Sequence, residues 1–246
     1  MKKILALLLA LTMVCGMLAA CGDTQPQGGN ITPLPSESEP APTETDPVPT
    51  ETESTPTESG EKEVSLGAMN GGVYTNTYVG FTCTLDENWA FATAEELQEL
   101  PGNVSELFSD SEFADQLGGQ IFDMKAENVN ELTTMNVLYQ KLDMTTRLAY
   151  ATMTEEQVID ATLAQKDTLI ATFQSAGMEV TSIEKVTVTF CGKTRTAMLT
   201  SATMEGVPYY TLQIFSHDLG AYSVTTTFAS YVENKTEDML AMCSPA

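Results

Sequence analysis

Three regimes of apolar and polar positions succeed one another along the chain. From Ile4 to Ala20 a run of Leu, Ala and Met is free of charge, whereas from Gly22 to about Gly67 large apolar residues nearly vanish; Ile31, Leu34 and Val48 are scattered among Pro, Thr, Ser and Glu. Regular periodicity begins near Gly71. Phe81, Cys83 and Leu85 alternate with Thr82 and Thr84, the pattern of a half-buried strand. With Gly71-Gly72 before it and Gly80 inside it, the stretch 71–85 reads as a β-hairpin, followed by a turn that delivers Trp89.

Helical spacing then alternates with strand spacing. Thr93 and Glu96 fit a capping box for a short helix over 93–100 that Pro101-Gly102 should end. Asn103 and Glu106 open a second helix, with Val104, Leu107, Phe108, Phe113 and Leu117 on one side and Gly118-Gly119 as its stop. Strands are expected over 120–126 and 135–142. The clearest helix runs from Thr154 to Gly177, capped by Thr154 with Gln157, with Val158, Ile159, Leu163, Ile170 and Phe173 on its apolar side. Four strands should follow, over 179–190, 194–203, 209–216 and 222–229, at Gly-bearing turns short enough for an antiparallel meander. A closing helix over 234–242 brings Met239, Leu240 and Met242 to one end.

Together these elements predict an α+β domain over 68–246, an antiparallel sheet flanked by helices. Eight of the eleven prolines lie between Pro26 and Pro56, so 21–67 cannot share that core and reads as a disordered Pro/Thr/Glu-rich linker. Fully extended, such a stalk reaches on the order of 140 Å, and as a coil roughly 40 Å. It is read as an unmodified spacer, its threonines being available for O-glycosylation. The net charge is −23, and without Lys2 and Lys3 nine basic residues face 34 acidic ones, or −25. That balance argues against nucleic acid and anionic headgroups as partners.

At the end of the first apolar run, Leu18-Ala19-Ala20-Cys21 resembles the lipobox of bacterial lipoprotein signal peptides. The resemblance implies a signal peptide over 1–20 and a mature chain that begins at Cys21. Cys21 would carry a diacylglyceryl group on sulfur and a further acyl chain such as palmitate on its nitrogen. Two or more acyl chains hold a protein on a membrane where one does not. The expected location is the outer side of the cell membrane, with membrane lipid as the first partner.

Gly72, Tyr74, Asn76, Gly80-Phe81, Asn88-Trp89, the run VTVTFCG from Val186 to Gly192, and Tyr209-Tyr210 resemble the PsbP-like α/β/α sandwich family, in the versions found on lipoproteins of Gram-positive bacteria. The likeness covers about 70–243. It implies a non-catalytic protein that supports a larger assembly, with an unknown envelope protein or ligand as partner.

The residues spell out no reaction. His217, the sole histidine, stands beside Asp218 in an expected hairpin turn and reads as a solvated surface pair. No Gly-x-Ser-x-Gly, His-Glu-x-x-His or Gly-x-x-x-x-Gly-Lys motif occurs, so a non-enzyme without cofactor or metal is expected. Glu106, Asp110, Glu112 and Asp115 form an acidic helix region that matches no calcium loop. Tyr74, Tyr78, Trp89, Tyr209 and Tyr210 are weighed as the lining of a glycan or peptide groove and read instead as core. Cys83, Cys191 and Cys243 are expected as free thiols, with a disulfide from Cys191 to either of the others as the alternative. The competing functions are an envelope enzyme acting on wall polymer or peptide, and a lipoprotein that binds a cation or small ligand.

Overall fold

The computed structural model describes residues 64–105 and 120–246. The signal segment, Cys21, the linker up to Glu63, the greater part of the second expected helix and the acidic group Glu106, Asp110, Glu112 and Asp115 lie outside the described residues.

The chain forms β1 (Ala68–Asn70), β2 (Val73–Asn76), β3 (Phe81–Thr84), β4 (Ala90–Phe91) and α1 (Ala94–Ser105). Then come β5 (Gln120–Asn128), β6 (Thr133–Lys141), α2 (Met144–Tyr150), α3 (Glu155–Leu163) and α4 (Lys166–Ser175). The rest is β7 (Met178–Phe190), β8 (Lys193–Met204), β9 (Val207–Leu219), β10 (Tyr222–Tyr231), α5 (Thr236–Ala241) and β11 (Cys243–Pro245). The class is α+β, but the single sheet expected from the sequence is two antiparallel sheets. The larger has the order β4-β5-β6-β10-β9-β8-β7, and the smaller the order β1-β2-β3-β11. The predicted hairpin is β2–β3, and it left the large sheet because the C-terminal residues, read as helix alone, add β11 to its edge.

Side-chain parity in the large sheet explains why it needs cover on both faces. On β9, Leu212 and Ile214 point to one core while Tyr209 and Phe215 point to the other; on β10, Val224 and Phe228 oppose Ala229 and Tyr231 in the same way. One face packs against the small sheet through Tyr74, Tyr78, Phe81 and Cys83. The other packs against α3 and α4 through Ile159, Leu169 and Phe173. Register shifts occur at three places among the described residues, between Tyr222 and Val224 where β10 pairs β9, between Val180 and Ser182 on β7, and between Phe122 and Met124 on β5, and the last two bear on the core and the site. The bulge on β7 keeps both Met178 and Ile183 on the helix side. The bulge on β5 leaves Asp123 unopposed.

Two helices depart from expectation. The capping box forms, with Glu96 N donating to Thr93 Oγ1 at 3.2 Å and Thr93 N to Glu96 Oε2 at 2.8 Å, yet α1 runs through Pro101-Gly102 to Ser105. A proline removes one N–H rung without having to end a helix. The long helix splits into α3 and α4. The buried hydroxyl of Thr162 bonds back to Val158 O at 2.9 Å, and Gln165 N tightens onto Thr162 O three residues earlier. Such back-bonding bends a helix, and here the ladder restarts at Lys166. Gly177 takes the left-handed conformation expected after the helix, with φ +79°. Helix α2 had no predicted counterpart; its signal is Asp143, whose carboxylate accepts from Thr145 N and Thr146 N.

Glu155, at the start of α3, ties this layer to the sheet. It accepts from Arg195 Nε at 2.5 Å and Thr196 N at 2.8 Å, while Arg195 Nη2 reaches Phe215 O and Ser216 Oγ.

Candidate functional site

A charged residue inside an apolar strand has to find partners or remain outside. Asp123 on β5 is 5% exposed and finds them. The bulge turns it toward the small sheet, where its carboxylate accepts from Gly67 N at 3.0 and 2.9 Å, from the Tyr74 hydroxyl at 2.5 Å and from Asn76 Nδ2 at 2.7 Å. Asn76 Nδ2 also lies 2.7 Å from the Tyr139 hydroxyl, which donates to Ser65 O at 3.1 Å. Asn76 Oδ1 accepts from Val79 N at 2.8 Å and so holds the β2–β3 turn. Strands β2, β5 and β6 and the segment before β1 thus converge on one buried polar cluster.

The environment fixes the protonation of the phenols. Burial first, and then the charge of Asp123, raises Tyr74 far above the ordinary tyrosine value. Burial likewise pushes Tyr139 up to about 12. Both therefore stay neutral donors. Gly67 is needed for the close approach: a Cβ there would stand 2.3 Å from Tyr74 Cε2.

At the margin of this cluster, sharing Gly67 and Asp123 with it, the same strand borders a cleft of about 470 Å³, further lined by Leu66, Ala94, Leu97, Gln98 and the 120–122 stretch of β5. Two features mark it. Strand β4 pairs with β5 at Ala126 and Glu127, and Ala92 N reaches Lys125 O, so the outer edge from Gln120 to Met124 has no strand partner among the described residues. Second, Gln120 is 5% exposed and both its amide atoms lack a hydrogen-bond partner. Its register neighbour Gln140 on β6 has a buried Oε1 in the same condition. The buried carboxamide of Gln120, beside a strand edge left open among the described residues, is an arrangement that donors and acceptors of a bound chain can satisfy.

The residues singled out from the sequence fall elsewhere. Tyr74 and Tyr78 face the small-sheet core and Tyr209 the helix-side core, so these three share no groove and are core residues, whereas Tyr210 is half-buried and belongs to neither core. Trp89 is half-buried against the small-sheet core. His217 lies within β9 rather than in a turn; its Nε2 is 2.9 Å from Met153 O and its ring meets the edge of Tyr150. It is a packed strand residue because α2 and the loop after it cover that end of β9. Among the described residues no group of three or more His, Cys, Asp or Glu is placed to hold a metal ion. Nor is any helix among them long and apolar enough to cross a membrane.

Sequence reasoning missed Asp123, Gln120 and Gln140. The available signal was Asp123 itself, a lone acid in the strand pattern QIFDMKA whose even spacing fails at that point.

No family model and no curated protein matches the chain. Among solved structures, the solution structure of cyanobacterial PsbP (CyanoP) from Synechocystis sp. PCC 6803 is similar. The identity is 9% and the TM-score 0.38, with 76% of this chain and 96% of that chain covered. A likeness of that size says nothing about ligand or role, so the role of the cleft rests on this chain's own residues.

Proposed function

We propose that the protein is a lipid-anchored extracytoplasmic binding module. Its folded part receives an extended segment of another envelope protein along β5, and it catalyses no reaction. The observation that carries this reading is Gln120, a buried carboxamide without a hydrogen-bond partner among the described residues, on the wall of a cleft whose floor is a strand edge unpaired among those same residues. An extended peptide supplies both N–H and C=O groups at strand spacing, which is what that edge and that side chain lack. The apolar walls Leu66, Leu97 and Phe122 suit alternate side chains of such a segment. The anchor rests on the lipobox-like Leu18-Ala19-Ala20-Cys21, and the linker lifts the folded part away from the bilayer.

The test uses the full chain in its native membrane, with a photo-crosslinking residue at Gln98 in the cleft or at Glu184 on the far edge strand β7. The expected result is one envelope protein captured from Gln98 and not from Glu184, with capture reduced roughly tenfold by Gln120→Leu, since an unmatched buried amide partner costs about 1–3 kcal/mol. In the same cells Cys21→Ala should move the protein out of the membrane fraction. Equal capture from both positions, or none, rejects the cleft; unchanged membrane fractionation of Cys21→Ala rejects the anchor.

A further inference from the structure

The three thiols of the folded part meet at one margin of the small-sheet core. Cys83 on β3 is buried, and Cys243 on β11 is its direct cross-strand partner. Neighbouring hydrogen bonds define the kind of pair. Thr84 N donates to Met242 O and Ala246 N to Gly80 O, and bonded and non-bonded pairs alternate along an antiparallel ladder. Cys83 and Cys243 therefore occupy a non-hydrogen-bonded position, with both side chains on the same face. Cα atoms at such a position are about 4.5 Å apart, inside the roughly 4.4–6.8 Å that a disulfide spans.

Cys243 Sγ donates to Met239 O at 3.9 Å. The cross-strand neighbourhood of the two thiols holds Cys83 below its ordinary value and, together with burial, pushes Cys243 up. Cys191 is placed differently. It sits in the two-residue turn between Phe190 and Lys193 with φ +51°, so no strand residue faces it, and burial pushes its thiol up to about 11.

We propose that Cys83 and Cys243 form a disulfide site that joins the C-terminal strand to the N-terminal hairpin. The oxidant is a small or protein-borne disulfide, RSSR. One thiolate of the pair attacks a sulfur of RSSR and releases RS⁻; the second thiolate then attacks the protein sulfur of that mixed disulfide and releases the other RS⁻. The two RS⁻ take up the two thiol protons, so one disulfide is reduced to two RSH as one is formed. Bond formation closes a loop that runs through the whole large sheet and fixes β11, the last strand of the small sheet, to β3.

Trypsin separates the three cysteines into peptides 63–125, 186–193 and 236–246. The full-length protein, reduced and then incubated with oxidised glutathione, should yield 63–125 linked to 236–246, with Cys191 recovered as an alkylated thiol. Cys191→Ser should leave that link intact. The oxidised wild type should melt several degrees above the reduced form, a difference that Cys243→Ser abolishes. Three alkylated thiols after oxidation, or any link that contains Cys191, overturns the proposal, and this mapping needs no variant to fold.

Discussion

The two faces of the large sheet hold tyrosines on opposite terms. Under the small sheet, the hydroxyls of Tyr74 and Tyr139 are bound into the cluster around Asp123 and Asn76. Under the helices, the Tyr231 ring packs tilted against that of Tyr209 with centroids 4.9 Å apart, and its buried hydroxyl has no hydrogen-bond partner among the described residues. Burial raises Tyr231 well above the ordinary tyrosine value, with nothing else acting on it. The core on the helix side is thus filled by shape and apolar area, with directional ties only at its part-exposed margin, where Glu155 meets Arg195 and Thr196 and Lys185 meets Glu156 and Asp160. The small-sheet side is also specified by direction: a buried network that is fully satisfied permits one docking of β1–β3 on β5 and β6, where apolar contact alone would tolerate slippage.

The largest way to break that contrast is Asp123→Ala. It orphans the Tyr74 hydroxyl and one bond of Asn76 in a dry place and frees Gly67 N, so it should destabilise the protein by about 3 kcal/mol in denaturant unfolding. Adding Tyr74→Phe to Asp123→Ala should cost almost nothing further, because the phenol has then already lost its acceptor. Full additivity of the two changes would mean that Tyr74 acts as an apolar filler like any other core ring.

Much of this architecture was legible because strand parity is a strict rule where both faces are buried. Leu212, Ile214, Val224 and Phe228 could be placed from alternation, the turn at Glu205-Gly206 from its composition, and the turn expected at Gly192-Lys193 to within one residue of its place at Cys191-Gly192. The failures occur where tertiary contacts overrule a local pattern. No periodicity announces that Thr162 will bond back to Val158 and divide a helix, because the choice depends on burial. The three residues of β11 carry too little pattern to outweigh the helix before them, and their strand character comes from β3. Asp123 was visible as an anomaly, but its partners lie 47 to 56 residues away and only the folded chain brings them together. The unpaired amide of Gln120 and the unpaired Oε1 of Gln140 are harder still, since an unused donor or acceptor has no signature in sequence.

A smaller pair of changes sharpens the comparison directly. Tyr74→Phe removes a donor that Asp123 uses and should cost about 1–2 kcal/mol, since a hydrogen bond to a charged group is worth about that much. Tyr231→Phe removes a buried hydroxyl that has no partner to lose. It should leave stability within about 0.5 kcal/mol of wild type or raise it, because only the desolvation of an unmatched group disappears. Equal losses in matched unfolding curves would erase the distinction between the two faces.

The smallest effect separates them by pH. Tyr139 is neutral in the fold up to about 12, whereas in the unfolded chain a tyrosine ionises near 10. A raised folded value means that the unfolded state loses its proton first. The contribution of Tyr139 is therefore fully present below pH about 10 and falls away as pH rises from there toward 12. Tyr74 and Tyr231 push the same way, so wild-type stability should decline steeply across that interval. Tyr139→Phe, which has no proton to give up, should show a shallower decline with a lower plateau near neutrality, where it lacks the bonds to Asn76 and Ser65. If the slope of Tyr139→Phe instead equals that of wild type, the ring titrates alike in both states, and the cluster around Asp123 is open to water rather than sealed between the sheets.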